Sequence, residues 1–188
     1  MRKEPVRKFD LKKYKSISRA ISNYEDLTLL INHLAEGTTR TFEAKGCSIM
    51  LLDEKENQLF TVSCYGISEE YLQKGPLLID DKYCAFIKGK PVYIEDMQND
   101  PRIKYPDQAS KEGIVSMLSI PITYRNIATG LMRIYRSDSK GFHKEDIDTM
   151  FVLAMHLGLI IEINGLRNFL DGVNMAMESL PSRILKDL

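Results

Sequence analysis

Cysteine is scarce in this 188-residue chain, and it is unpaired in pattern: Cys47, Cys64 and Cys84 are odd in number and share no close spacing. That excludes a disulfide framework and leaves reduced thiols as the simplest account. Histidine is equally thin. His33, His143 and His156 form no pair at metal-ligand spacing. The chain also lacks a glycine-rich phosphate loop, a nucleophile elbow and a carboxylate dyad, which removes the usual signatures of phosphoryl transfer, acyl transfer and glycoside hydrolysis. Net charge is absent too, with 26 basic residues against 26 acidic ones. This balance argues against bulk electrostatic attachment to nucleic acid or to an anionic membrane. No apolar run approaches the roughly 20 residues needed to cross a bilayer, and the basic start is not followed by the apolar core of a signal peptide. The expectation is a cytoplasmic chain with no nucleic-acid or membrane partner. There is no internal repeat and no low-complexity segment.

What is present is a globular composition, 44% apolar, in a length that allows one domain with a sizeable core plus helical extensions. Charge is uneven along it. Residues 1–15 hold seven Lys or Arg against Glu4 and Asp10, a local net of +5, leaving −5 for the remainder. This start reads as a solvated tail.

Ser22-Asn23-Tyr24-Glu25 reads as a capping box that separates two helices. The first, around Leu11 to Ile21, carries Leu11, Tyr14, Ile17, Ile21 and Tyr24 at three- and four-residue steps; the second, about Asp26 to Lys45, stops at Gly46. Cys47 to Leu52 is apolar without alternation, as a central strand is, and Gln58 to Tyr65 returns beside it. Short helices follow at Ser68 to Gln73 and Asp81 to Lys88, then a strand at Lys90 to Asp96. The polar segment between Asp96 and Gly113, with Pro101 and Pro106, predicts an irregular flap with room for one helical turn. Val115 to Tyr124 and Ala128 to Arg136 form the last hairpin. The order suits an α+β arrangement, one antiparallel sheet with helices packed on one face and a flap-covered pocket on the other.

From Lys144 to about Ser179 the chain has no proline, and its apolar residues fall in two stripes. Ile147, Met150, Phe151, Ala154, Leu157, Gly158 and Ile161 suit the underside of the sheet. Leu159, Leu166, Val173 and Leu180 repeat every seven residues, interleaved by Ile163, Leu170 and Met177, which is a heptad seam. A seam needs a partner, either the first helix of the same subunit or a second copy. The reading here is a homodimer, with residues 1–24 as a basic segment and helix, 25–163 as the globular domain and 164–188 as a helical dimerisation extension.

Gly46 to Leu52, Lys90 to Asp96 with Asn99-Asp100-Pro101-Arg102, Ser116 to Ile122 and Gly130 to Asp146 together resemble the GAF domain family over roughly Glu25 to Ile163. The resemblance implies a sensory or regulatory module. It leaves ligand and cofactor open, because the family includes binders of cyclic nucleotides, bilins, haem, amino acids and small metabolites. Cyclic-nucleotide members carry Asn-Lys, then Phe, then Asp-Glu; here Tyr135-Arg136 stands in the first position, while Phe142 and Asp146 are also explained by a helix start, where His143 takes the cap. Bilin members attach the pigment to a flap cysteine, and none lies between Asp96 and Val115. A relative that reduces free methionine sulfoxide needs a resolving thiol, and no cysteine follows Cys84. The expectation is therefore a module that binds a small molecule without catalysis and signals to a separate protein. The alternatives are a reductase-like thiol enzyme and a structural dimer whose cavity is filled by Met97, Met117, Met132 and Tyr105. For the pocket the candidates are Tyr83, Phe86, Tyr93, Arg102, Tyr105, Ser116 and Ser119, with Arg102 for an anionic group and the tyrosines for an apolar one.

Overall fold

Two aspartates start the first two helices. The computed structural model describes residues 5–24, 26–75, 77–78 and 84–178, of which 78 and 176–178 by their backbone alone. Helix α1 spans Leu11–Asn23 and α2 spans Leu27–Phe42; the side chain of Asp10 accepts from the Lys13 N–H and that of Asp26 from the Leu29 N–H. Ser22 does not cap α2. It lies in the last turn of α1 and donates to the Ser18 carbonyl, while the carboxylate of Asp26, one residue before the helix, is the acceptor in reach. Glu25 lies outside the described residues. Helix α2 also ends earlier than Gly46, because Glu43 adopts the left-handed conformation and turns its N–H back to the carbonyls of Thr39 and Arg40.

The remaining elements are β1 (Gly46–Asp53), β2 (Gln58–Tyr65), α3 (Glu69–Leu72), β3 (Leu77–Leu78), α4 (Ala85–Lys88), β4 (Val92–Ile94), α5 (Pro106–Glu112), β5 (Ser116–Tyr124), β6 (Ile127–Arg136) and α6 (Lys144–Glu178). The strands form one antiparallel sheet in the order β3-β2-β1-β6-β5-β4. The two-residue turn between β5 and β6 places both Arg125 and Asn126 at positive φ, the conformation that matches the twist of a tight hairpin.

Strand alternation divides the core into two. Ile49, Leu118, Ile120, Ile122, Met132 and Ile134 face α2 and α6 and are buried. On the opposite face Met117 and Tyr135 pack with Ile94 and with Met97, Ala109 and Ile114 of the flap. The flap is more regular than the sequence suggests. Pro106 at the first helical position and Gly113 in the left-handed conformation at the end bound a seven-residue helix, α5. Its ends are tied to the sheet, since the Met97 N–H reaches the Val115 carbonyl at 2.8 Å and the Val115 N–H reaches that of Arg136 at 2.8 Å.

The basic start is not a solvated tail over residues 5–10. Phe9 is buried against Phe42, and the buried carboxylate of Asp146 accepts from the backbone N–H groups of Lys8 (2.7 Å) and Phe9 (2.9 Å). Ion pairs Lys8–Glu43 and Arg7–Glu145 lie alongside. His143 caps α6 as expected, its Nδ1 accepting from the Glu145 N–H at 3.2 Å.

Helix α6 corrects another expectation. Within Lys144–Met175 an 18-residue stretch reaches a mean hydropathy of 1.6, so the helix is long and apolar enough to cross a membrane by length and composition alone. His156, Glu162 and Asn164 interrupt its apolar residues, so no continuous run reaches that length. The first half is a core helix: Met150, Leu153, Ala154 and Leu157 are buried on the sheet. The second half carries Leu159, Ile163, Leu166, Leu170 and Val173 exposed, so the seam does not fold back onto α1 of its own subunit. Leu180 and the side chain of Met177 lie outside the described residues.

A candidate ligand pocket beneath the flap

The cavity of about 340 Å³ opens between the flap, α4 and the outward faces of β4, β5 and β6. That size falls in the range of small-molecule sites. Its walls are built by alternation. Val92 and Ile94 come from β4, Met117 and Ser119 from β5, and Arg133 from β6. Ser119 pairs with Arg133 across the strands, and the Arg133 Nε donates to the Ser119 hydroxyl at 3.1 Å. The flap supplies Met97 and the run Pro101 to Tyr105; Lys74 and Cys84 enter from the segments after α3 and before α4.

Of the seven candidates named from sequence, Arg102, Tyr105 and Ser119 are brought together in this cavity. Phe86 packs beside it, against a small cluster that contains the lining residue Ala85. Tyr93 lies on the other face of β4, edge-on to Phe142 at 5.9 Å, with its hydroxyl buried and unpartnered. Ser116 is also turned away and donates to the Asp138 carbonyl at 2.6 Å. The reason is strand periodicity: Ser116 and Ser119 are three residues apart on one strand, so they point to opposite faces. Tyr83 lies outside the described residues.

Arg102, the residue expected to meet an anionic group, already engages a carboxylate of the flap. Its guanidinium engages Asp100 through Nε at 2.8 Å and through Nη2, and this arginine holds the Asp100 carboxyl below its usual range. The lining cations that sequence reasoning missed are Lys74, Arg133 and Lys104, the last exposed and 5.5 Å over the Tyr105 ring. Lys74 places its ammonium 3.8 Å over the Tyr71 ring and donates to the Tyr71 carbonyl at 3.0 Å. Burial pushes its pKa down to about 8, the nearby Arg133 charge pushes the same way, and Glu112 partly offsets both. The strand period would have found Arg133, which is two residues from Leu131 and Tyr135 on the pocket face. Lys74 had no such signal.

Several residues set aside on sequence grounds have structural roles. Tyr135 is buried, its hydroxyl 3.1 Å from the Ser48 hydroxyl, and Arg136 pairs with Asp138 while donating to the Phe42 carbonyl. Asp146 holds the N-terminal backbone. Cys47 is buried and Cys64 half-buried on strands, and burial raises the pKa of each thiol. Met97, Met117 and Tyr105 line the cavity without filling it, and Met132 lies on the helix side. Among the described residues no three His, Cys, Asp or Glu are grouped to hold a metal.

The fold is shared with solved structures that include GAF domains. The chain covers 84% of its own length and 95% of the GAF domain of a phosphoenolpyruvate-protein phosphotransferase from Coxiella burnetii, at 18% identity and a TM-score of 0.74. For the corresponding Acinetobacter domain the values are 83%, 94%, 18% and 0.71. A free methionine-R-sulfoxide reductase from Neisseria meningitidis in complex with its substrate is also similar in fold, with 86% and 96% covered, 16% identity and a TM-score of 0.67. No curated protein sequence matches the chain. The GAF domain model matches residues 25–162, and the chain belongs to the GAF domain family. At the family level it is a sensory or regulatory module.

Proposed function

We propose that the chain is a non-catalytic sensory module that takes a small ligand beneath the flap and passes its occupancy to the α1 and α6 helices of a dimer. The observation that carries this is the cavity of about 340 Å³ on β5 and β6, the strands whose other face packs α6 through Leu118, Ile120 and Ile134. A ligand that draws Ser119, Arg133 and the 101–105 segment together shifts those strands, and a packed core transmits the shift to α6 rather than absorbing it. The exposed seam on α6 is the surface on which a second copy pairs, and a separate signalling protein reads the paired helices. The three free thiols suit a reducing cytoplasm.

Reductase neighbours make enzymatic turnover the competing reading. Cys84 does line the cavity, but Cys47 and Cys64 sit on β1 and β2, and burial disfavours their thiolate forms. The test is native mass spectrometry of the freshly purified chain, which reports copy number and retained molecules together. Two copies carrying a small molecule that is released on denaturation are expected. A bare monomer would overturn the proposal, and so would sustained reduction of free methionine sulfoxide that is lost in Cys84→Ser.

A further inference from the structure

Resting on the pocket's being a ligand site, we infer that its ligand is a small organic anion, a carboxylate or phosphate ester on an apolar body, anchored by Lys74 and Arg133. Both residues line the cavity, and no Asp or Glu does so among the described residues. Among the described residues neither cation forms a salt bridge there. Arg133 commits Nε to Ser119, while Lys74 has a carbonyl and an aromatic face for partners. The other lining arginine, Arg102, is already engaged by Asp100. The carboxylate acting on Lys74, Glu112, is held by the backbone N–H and hydroxyl of Ser68 and by Lys45 at 3.5 Å.

Two like charges drawn out of water and set close enough to act on one another raise the energy of the empty pocket unless a counter-charge enters. An anion between them supplies it, through charge-assisted bonds to an ammonium and a guanidinium. The rest of the wall near it is apolar, with Val92, Ile94, Met97, Ile103 and Met117, which selects a hydrocarbon or aromatic body over a bare inorganic ion. Proton uptake follows from the same geometry. The groups that act on Lys74 or touch it are Arg133 from β6, Glu112 from α5 and Tyr71 from α3, and Arg102, Lys104 and Tyr105 of the flap and Cys84 before α4 line the same cavity. Burial raises the Tyr71 hydroxyl, and Glu112 is held below its usual range because its bonds from Ser68 and Lys45 outweigh its burial. Lys74, with its midpoint at about 8, is then the group that titrates in the mildly alkaline window. An anion favours its charged form, so affinity falls as pH rises through and beyond that midpoint, by up to about tenfold per pH unit.

The test is isothermal titration of the full chain with a matched set of probes: hexanoate, hexyl phosphate and hexanamide. The two anions separate the carboxylate and phosphate forms of the ligand. At neutral pH at least one anion is expected to bind roughly tenfold to a hundredfold more tightly than the amide, the worth of a hydrogen bond to a charged group. Lys74→Met and Arg133→Gln should each bring that anion close to the amide, and Lys74→Met should also abolish the alkaline fall in affinity. Without ligand, Lys74→Met should melt above the wild type at neutral pH, since it removes an uncompensated, partly buried charge; a lysine kept for structure would give a lower melting point. Equal binding of amide and acids, preference retained in both variants, or no binding of any probe at millimolar concentration would each overturn the inference. A neutral molecule retained in native mass spectrometry would overturn it while leaving the ligand-site reading in place.

Discussion

Asp138 shows how much one side chain at the end of a strand can organise. Its carboxylate takes the Arg136 Nε at 2.8 Å and Nη2 at 3.1 Å, and its carbonyl accepts the Ser116 hydroxyl. Arg136 in turn reaches the Phe42 carbonyl at the end of α2, so the pair ties β6 to the helix layer. Arg136 holds the Asp138 carboxyl down to about 2, against 3.8 for the ordinary group. Below the unfolded value the unfolded chain binds the proton first. The stabilisation is therefore complete above about pH 4 and is lost as pH falls toward about 2. Asp138→Asn should cost under about 1 kcal/mol at neutral pH, because the pair is partly exposed. The difference between variant and wild type should shrink as pH falls through that window, measured by urea denaturation at several pH values; a constant difference would assign the effect to something other than the charge. The binding candidates teach the same scale in reverse. Ser119 and Ser116 read alike in sequence, and one strand position parity separates a pocket residue from a structural one.

The long helix was legible as an element and less so as a packing partner. Its stripe of Met150, Ala154 and Leu157 is written at helical spacing, and the structure adds Leu153 to it. What the spacing does not show is how close the helix lies. A Cβ at Gly158 would collide with the Thr123 carbonyl oxygen of β5, while one at Gly165, on the same helix two turns later, would meet nothing within 4 Å. The two glycines look equivalent in the chain and should respond with opposite sign. Gly158→Ala should destabilise by about 1–3 kcal/mol through overpacking against backbone. Gly165→Ala should stabilise by up to about 1 kcal/mol, the ordinary helix preference. Thermal and urea denaturation check both, and a neutral Gly158→Ala would mean that α6 can slide on the sheet. The flap differed from expectation for a related reason. Two prolines argued against a helix, yet Pro106 occupies the first helical position, where its missing N–H costs nothing.

At the scale of the whole molecule, the second half of α6 presents an exposed apolar stripe. Leu159, Ile163, Leu166, Leu170 and Val173 are between 38% and 59% exposed, with Phe169 beside them at 66%. A continuous apolar stripe of this kind is one that proteins in water seldom leave bare. Pairing about a twofold axis removes it, and each leucine fully buried contributes about 1.5–3 kcal/mol. Placing aspartate at both Leu166 and Leu170 should turn a dimer into a folded monomer or an aggregating chain, because an unpaired carboxylate in an apolar seam is costly. Light scattering coupled to size exclusion reads the result. A wild type that runs as a monomer at micromolar concentration would remove the dimer from the proposed mechanism.

Apart from β3 and α5, the element types, their order and the sidedness of the sheet were determined by the sequence itself, because helix and strand periods are local properties of the chain. The family resemblance rested on the same segments, which the matched model spans. Tertiary structure alone decided the chemistry of the pocket. Lys74 and Arg133 are 59 residues apart in the chain and line one cavity only because α3 packs on β6, Tyr71 against Tyr135, and partial burial strengthens the action of one charge on the other. Docking of the N-terminal segment had the same origin: the net positive charge of residues 1–15 suggested a free tail, whereas Phe9 and the two backbone donors find Asp146 only once α6 has packed. Composition fixes which charges exist, and folding sets the distance and dielectric between them.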